Sequence, residues 1–413
     1  MDPRAPVSDP LRAGGWLPPD PELERWLRGK REQLTAAPAP LHEEVQELKD
    51  LLDRDPIIRM YFARMIREVP RTKQYREHHL ASVEQLLRLL NAVVTTAPEY
   101  DETAMVGCPM AAIFDWAAGT PAGFAAFREP RVNDVLRRIL SRWAVFLESR
   151  ESLYVLNEGP AGWRSRKARQ AIRIEEFEHD PQAEDWGFRS WNDFFTRRFK
   201  PGSRPVAAPE DPKVIASPCE ATPFAIRNAV ERYDEFWIKR QPYSLQDMLA
   251  NDPAVATFVG GTVYQAFLSP LFYHRWHSPV DGTIRSAAVV QGTYFSQADS
   301  EGEDPTAIRS QGYMAHVATR AVFLIDADDP GIGLVCFIAV GMGEVSSCVI
   351  APVLSAGRHV RKGEELGCFQ YGGSTYCLVF RPGVIADFAL HAIPEREHPD
   401  ARTPVRSAIA LAN

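Results

Sequence analysis

The N-terminal part of the chain carries its apolar residues in a helical rhythm. Leu80, Val83, Leu86, Leu87 and Leu90 recur at three- and four-residue intervals, the spacing that puts side chains on one face of a helix. Val132, Val135, Leu136, Ile139, Leu140, Trp143, Phe146 and Leu147 form a longer stripe of the same kind. Both stripes predict amphipathic helices packed into a core. "DRDPIIRMYFARMIREVP" predicts a helix that stops before Pro70, because proline lacks the amide hydrogen and clashes with the preceding turn. Trp163, Trp186 and Trp191 add large apolar anchors after these helices.

Near Lys200 the rhythm changes. "KPGSRPVAAPEDPK" is rich in Pro and Gly and reads as a connection. After it come short apolar runs bounded by turn residues: "KVIASP", "GTVYQAFLSP", "GTIRSAAVV", "AVFLIDAD", "GLVCFIAVGMG", "SSCVIAPV" and "STYCLVF". Their length and their Val, Ile, Phe and Tyr content predict strands. "SAGRHVRKGEELG" predicts a loop or hairpin between two of them, and the acidic "QADSEGEDPTAIRSQG" a surface loop or lid. The pattern predicts an α+β protein, with a helical N-terminal domain over residues 1–185 and a β-rich domain over residues 186–413. No internal repeat is visible.

Composition narrows the function classes. The chain has 413 residues, 45% hydrophobic and 24% charged, with a net charge of −7, which suits a globular protein of two domains. The acidic balance argues against nucleic-acid binding and against tight docking on anionic lipid. The N-terminus lacks the apolar core of a signal peptide, and no run approaches the roughly 20 apolar residues needed to span a bilayer. Six cysteines occur without a C-x-x-C pair, a poor framework for metal or disulfides. A reducing, cytoplasmic setting without stable membrane insertion is the expectation.

Three places carry candidate chemistry. "SPLFYHRWHSPVDG" holds His274 and His277 between Pro270 and Pro279, a rigid setting of the kind a positioned acid or base needs. The pair could share a helix face or converge from a turn. It lacks an H-E-x-x-H partner, so no metal is expected. "ASPCEATP" holds Glu220, a candidate carboxylate for orienting a histidine. "FQYGGSTYCLVF" holds Ser374 after two glycines. It is neither a G-x-S-x-G elbow, because Tyr376 replaces the last glycine, nor a phosphate loop. Taken together, Glu, His and a Gly-Ser bond suggest self-processing. A histidine-activated Ser374 hydroxyl attacks the carbonyl of Gly373, where steric bulk is least. The resulting ester eliminates, and the serine remnant becomes a pyruvoyl ketone.

"FLSPLFYHRWHSPVDGTI", "GTYFS" and "KGEELGCFQYGGSTYCLVF" resemble the phosphatidylserine decarboxylase family of self-processing pyruvoyl enzymes. His277 precedes Ser374 by 97 positions, close to the family's spacing of about a hundred, and the resemblance spans roughly residues 190–385. "AGGWLPPD", "LLDRDPIIRMYF", "GTPAGFAAF", "LSRWAVFLES", "WNDFFTRRF" and "SPCE" are similar to the soluble tryptophan decarboxylase branch of that superfamily, extending the likeness over nearly the whole chain. The usual "SPxDG" stands here as "SPCEA", so Glu220 replaces an Asp.

The resemblance implies an amino-acid decarboxylase that is independent of pyridoxal phosphate. Cleavage between Gly373 and Ser374 would leave fragments 1–373 and 374–413 associated. His277, oriented by Glu220, would be the base for maturation and His274 the proton donor to the α-carbon, although these roles are exchangeable. A Schiff base to the pyruvoyl group would carry the loss of CO₂. Phe272, Tyr273 and Trp276 are candidate pocket residues, and an aromatic amino acid, tryptophan first, is the implied substrate. Two other readings stay open: phosphatidylserine or a related lipid as substrate, and a noncatalytic binding protein on the same scaffold. The intact Glu220, His274, His277, Gly373 and Ser374 weigh against the second.

Overall fold

The computed structural model describes residues 21–36, 40–69, 80–101, 108–233, 243–298, 310–344, 347–394 and 402–413. The first part is helical: α1 (Pro21–Ala36), α2 (Glu43–Arg54), α3 (Pro56–Glu68), α4 (Val83–Val93), α5 (Pro109–Ala118), α6 (Pro121–Ala126), α7 (Pro130–Leu147), α8 (Arg166–Ile172) and α9 (Trp191–Phe195). Both predicted stripes are buried faces, of α4 and of α7. Within them, Leu80 precedes α4, and Val83 and Phe146 are only half-buried. Helix α3 starts where Pro56 sits in its first turn and Asp55 accepts from Ile57 N and Ile58 N, a proline and a side-chain cap that both favour initiation. It ends at Glu68; Pro70 lies outside the described residues.

The second part is mainly strands. They are β1 (Val214–Ala216), β2 (Thr222–Asn228), β3 (Thr262–Leu268), β4 (Arg275–His277), β5 (Gly282–Val290), β6 (Arg320–Ala327), β7 (Leu334–Gly341), β8 (Ser347–Ile350), β9 (His359–Val360), β10 (Glu365–Gln370), β11 (Ser374–Phe380), β12 (Ile385–Phe388) and β13 (Ala408–Ala412). Three short helices, α10 (Leu245–Met248), α11 (Val255–Phe258) and α12 (Gln311–Val317), accompany them. A seven-stranded antiparallel sheet runs β2-β3-β11-β7-β6-β5-β9, and two three-stranded sheets run β4-β10-β8 and β1-β13-β12. All seven predicted runs contain strands. The segment 355–367 holds β9 and the start of β10, and residues 299–309 of the acidic segment lie outside the described residues. That segment's last two residues, Gln311 and Gly312, begin α12 instead of ending a loop.

Strand β11 lies between β3 and β7 and is buried along its whole length. Its side chains alternate, as a pleated strand requires. Tyr376, Leu378 and Phe380 join an apolar cluster with Trp276, Phe323 and Phe337 on one face, while Cys377 and Val379 join Val263 and Ile338 on the other. A third cluster fills the helical part. It continues through Trp186, Trp191, Phe194 and Phe195, and takes in Tyr273, Tyr294, Phe295 and Tyr371 from the β-rich part. That seam passes beside the Gly-Ser bond.

Candidate active site

Ser374 is the first residue of β11. Its backbone is in register with Leu268 of β3 and Gly341 of β7. The side chain is fully buried, and Oγ has no hydrogen-bond partner among the described residues. Burying a hydroxyl unpaired is unfavourable, so its retention needs a reason beyond packing. A Cβ on Gly373 would sit 3.9 Å from Leu268 O, from Phe267 Cε2 and from Pro270 Cδ. The Gly373–Ser374 peptide therefore lies beside the stretch that leads into the histidine segment.

The two histidines share no helix. His274 precedes β4, and His277 ends it. His274 is fully buried and stacks on Phe195 with ring centroids 4.1 Å apart. Its Nε2 lies 3.3 Å from Pro270 O. A carbonyl only accepts, so Nε2 carries the hydrogen and Nδ1 keeps the lone pair. That Nδ1 has no partner among the described residues. Arg197, itself buried, donates through Nη2 to Leu271 O at 3.1 Å and Phe272 O at 3.3 Å, which fixes the segment. Burial first, and the Arg197 charge second, push the His274 pKa down to about 3.

His277 is bonded on both ring nitrogens. Nδ1 lies 2.9 Å from Gly363 O and 3.3 Å from Arg406 Nη2; the shorter contact is to an acceptor and places the hydrogen on Nδ1, so the Tyr273 hydroxyl donates to Nε2 at 2.9 Å. Burial, then the nearby Arg406 cation, push its pKa to about 3 as well. Both imidazoles are therefore neutral bases at ordinary pH.

The expected contact between Glu220 and His277 is not made. Glu220 is buried, and its carboxylate takes Arg204 Nη2 at 2.7 Å, Arg204 Nε at 3.0 Å and Val405 N at 2.9 Å. A buried carboxylate is best satisfied by a fork of charged donors, and a neutral imidazole does not compete with that. Glu220 is linked to His277 indirectly: Arg406 Nη1 donates to Arg204 O at 3.4 Å and Arg406 Nη2 lies 3.3 Å from His277 Nδ1, while His277 N donates to Pro218 O at 2.8 Å. The groups that hold the His277 ring are Tyr273, Gly363 and Arg406.

Of the pocket candidates, Tyr273 is the one on a histidine. Trp276 is packed into the sheet core against Phe323, Phe337 and Phe369. Phe272 is half-buried beneath the Arg402 guanidinium at 3.9 Å. Sequence reasoning missed Arg197, Arg204, Arg406, Tyr371 and Glu344. Arg197, Arg204 and Tyr371 sit inside the quoted "WNDFFTRRF", "KPGSRPVAAPEDPK" and "FQYGGSTYCLVF"; Arg406 and Glu344 carry no local signal. Among the described residues, no group of three or more His, Cys, Asp or Glu side chains is placed to hold a metal, and no helix is long and apolar enough to cross a membrane.

The buried titratable groups predict a stability profile. His274, His277 and His316 have pKa values lowered from 6.5 to about 3, 3 and 4. Below pH 6.5 the unfolded chain binds protons that the native chain refuses, so stability falls with pH. Burial raises Glu344 from 4.5 to about 8, with the opposite sign, so its contribution is lost as pH rises to 8. From these four groups, urea midpoints between pH 4 and 9 should peak near pH 6.5. Three histidines against one carboxyl make the acid arm the steeper. A midpoint unchanged from pH 6.5 to 4.5 would contradict the buried neutral histidines.

Two family models, both described as phosphatidylserine decarboxylase, match residues 42–172 and 191–395. The chain belongs to the phosphatidylserine decarboxylase family and is a carboxy-lyase. Among its relatives, decarboxylase iboD of Amanita muscaria is 43% identical over 303 residues, covering 68% of this chain and 86% of the relative. The L-tryptophan decarboxylase of Psilocybe cyanescens is 32% identical over 406 residues, covering 91% and 90%. Phosphatidylserine decarboxylase proenzyme 3 of Schizosaccharomyces pombe is 35% identical over 198 residues, covering 48% and 19%.

Proposed function

We propose that the protein is a pyridoxal-independent decarboxylase of an aromatic L-amino acid, tryptophan first, whose electrophile is a pyruvoyl group made from its own Ser374. The observation that carries this reading is the buried, unpartnered Ser374 Oγ following Gly373 on a strand paired with β3, the strand that leads into the histidine segment. In maturation the Ser374 oxygen bonds to the Gly373 carbonyl carbon. The C–N bond breaks, and the proton lost from Oγ ends on the freed nitrogen. Elimination, in which the residue 374 α-proton is lost and the Gly373 carboxylate leaves, then separates fragment 1–373 from fragment 374–413; water hydrolyses the imine form of the dehydroalanine that remains, releasing ammonia and leaving the ketone. When present, the pyruvoyl group supplies the carbonyl that condenses with the substrate amine and accepts the electron pair left by CO₂.

The remaining work falls to side chains. His277 is the base for maturation and works once Tyr273 releases Nε2. His274 keeps an unpartnered Nδ1 lone pair among the described residues. Being neutral, it accepts a hydrogen bond from the substrate amine and, once protonated, delivers that proton to the α-carbon after CO₂ leaves. Arg197 keeps the imidazole in place and neutral between turnovers. The aromatic-substrate reading is supported by the full-length likeness to the L-tryptophan decarboxylases, whereas the likeness to the phosphatidylserine decarboxylase proenzyme 3 covers 48% of this chain.

The test is CO₂ release from L-tryptophan in detergent-free buffer, followed by borohydride trapping. We expect tryptamine, and a substrate adduct on the 374–413 fragment. Turnover of phosphatidylserine vesicles with none of tryptophan would overturn the substrate assignment and leave the chemistry standing.

A further inference from the structure

Glu344 has no part in the mechanism above, yet it lies at the scissile turn. It follows β7 in the chain and is 1% exposed. Its Oε1 accepts from Met110 N and from Ala111 N, the latter at 3.2 Å. Those amides open α5, whose own N-cap residue, Cys108, makes no side-chain cap. One carboxyl oxygen thus caps a helix of the N-terminal part from the far side of the seam. The other, Oε2, makes no well-formed hydrogen bond among the described residues, and the Cys108 thiol is the side chain in contact with the carboxyl.

That oxygen faces the turn. A Cβ on Gly372 would sit 3.5 Å from Glu344 Oε2 and 3.5 Å from Cys108 Sγ. Gly372 has φ +103, which a side chain would strain. The Cys108 thiol is also in contact with the Gly373 backbone. On the other side of Gly372, the Tyr371 ring lies 5.8 Å from Trp143 and 5.7 Å from Trp191, inside the helical cluster. Residues 371–373 are therefore gripped from the helical side, while Ser374 is pinned in the sheet between β3 and β7. The bond to be broken is strung between the two.

We propose that Glu344 and Cys108 are positioning residues for self-cleavage. They tie the Gly372–Gly373 peptide to the start of α5, so that the helical part must be docked before the Gly373–Ser374 bond breaks. The proposal rests on the maturation reading above. A carboxyl fits the place because one oxygen serves the helix amides while the other meets the turn. Burial raises the Glu344 pKa to about 8, so near neutral pH the group is largely protonated and has a hydrogen to offer.

The test is the half-time of cleavage in freshly made protein, read on denaturing gels, with thermal melts confirming the fold. Glu344→Leu should slow cleavage by about tenfold or more, equivalent to about 1.4 kcal/mol of barrier. Glu344→Gln, which keeps an acceptor for α5 and a donor for the turn, should stay within about threefold of wild type, a rescue that bulk alone does not give. Cys108→Ala should be slower than Cys108→Ser. Should Glu344→Leu fail to fold, the cysteine pair decides. Wild-type rates in Glu344→Leu, or in both cysteine variants when that pair decides, would overturn the proposal, as would a defect confined to the KM of the matured enzyme. A wild-type chain that never cleaves is a different result, and it would sink the maturation reading itself.

Discussion

Ser374→Ala is expected to run as a single 46.3 kDa chain with no decarboxylase activity. The change removes one oxygen from a fully buried side chain. That oxygen has no hydrogen-bond partner among the described residues, so its loss leaves no donor or acceptor newly orphaned. Removing a buried unpaired hydroxyl is close to neutral for stability, or slightly favourable. The register of β11 with β3 and β7 rests on backbone bonds that alanine keeps. A folded but uncleaved protein is thus the expected product, and loss of activity is chemical in origin. Intact mass distinguishes it from wild type, which should separate into 1–373 and 374–413. Cleavage in Ser374→Ala, or an uncleaved wild type with full activity, would refute the origin of the electrophile.

The second large effect separates the histidines. His274→Gln should mature and then lose decarboxylation by about 10²–10⁴-fold, the range of a general acid or base. His277→Gln should remain one chain. Gln is preferred to Ala at position 274 because the ring is fully buried against Phe195 at 4.1 Å, and truncation would add a cavity cost of about 2–5 kcal/mol. Geometry gives His274 a free Nδ1 and leaves His277 bonded at both nitrogens. An uncleaved His274→Gln protein would therefore move the maturation base to His274.

The helical stripes and the strand runs could be read from the chain because each is a local pattern with its own period. The stripe from Val132 to Leu147 is the buried face of α7, and "STYCLVF" is β11. Short strands such as β4 and β9 were not legible, since three or two residues show no period and pair only through distant partners. The site residues His274, His277 and Ser374 were legible as residues, from two segments with distinct composition. Their environment was not. Glu220 carries nothing in its flanks that assigns it to Arg204 instead of His277, and neither Tyr273 on His277 nor Glu344 at the turn has a sequence signal.

The sequence by itself determined the helical and β-rich halves, the Gly373-Ser374 bond and the pair of histidines, because covalent order and side-chain period are properties of the chain alone. Only the tertiary structure decided which groups those residues meet. Burial strips water from His274, His277 and Glu344 and shifts all three. The packing of the helical cluster on Tyr371 and Gly372 brings Cys108 to a bond far along the chain. Such contacts are made by folding between segments whose separation no local pattern encodes.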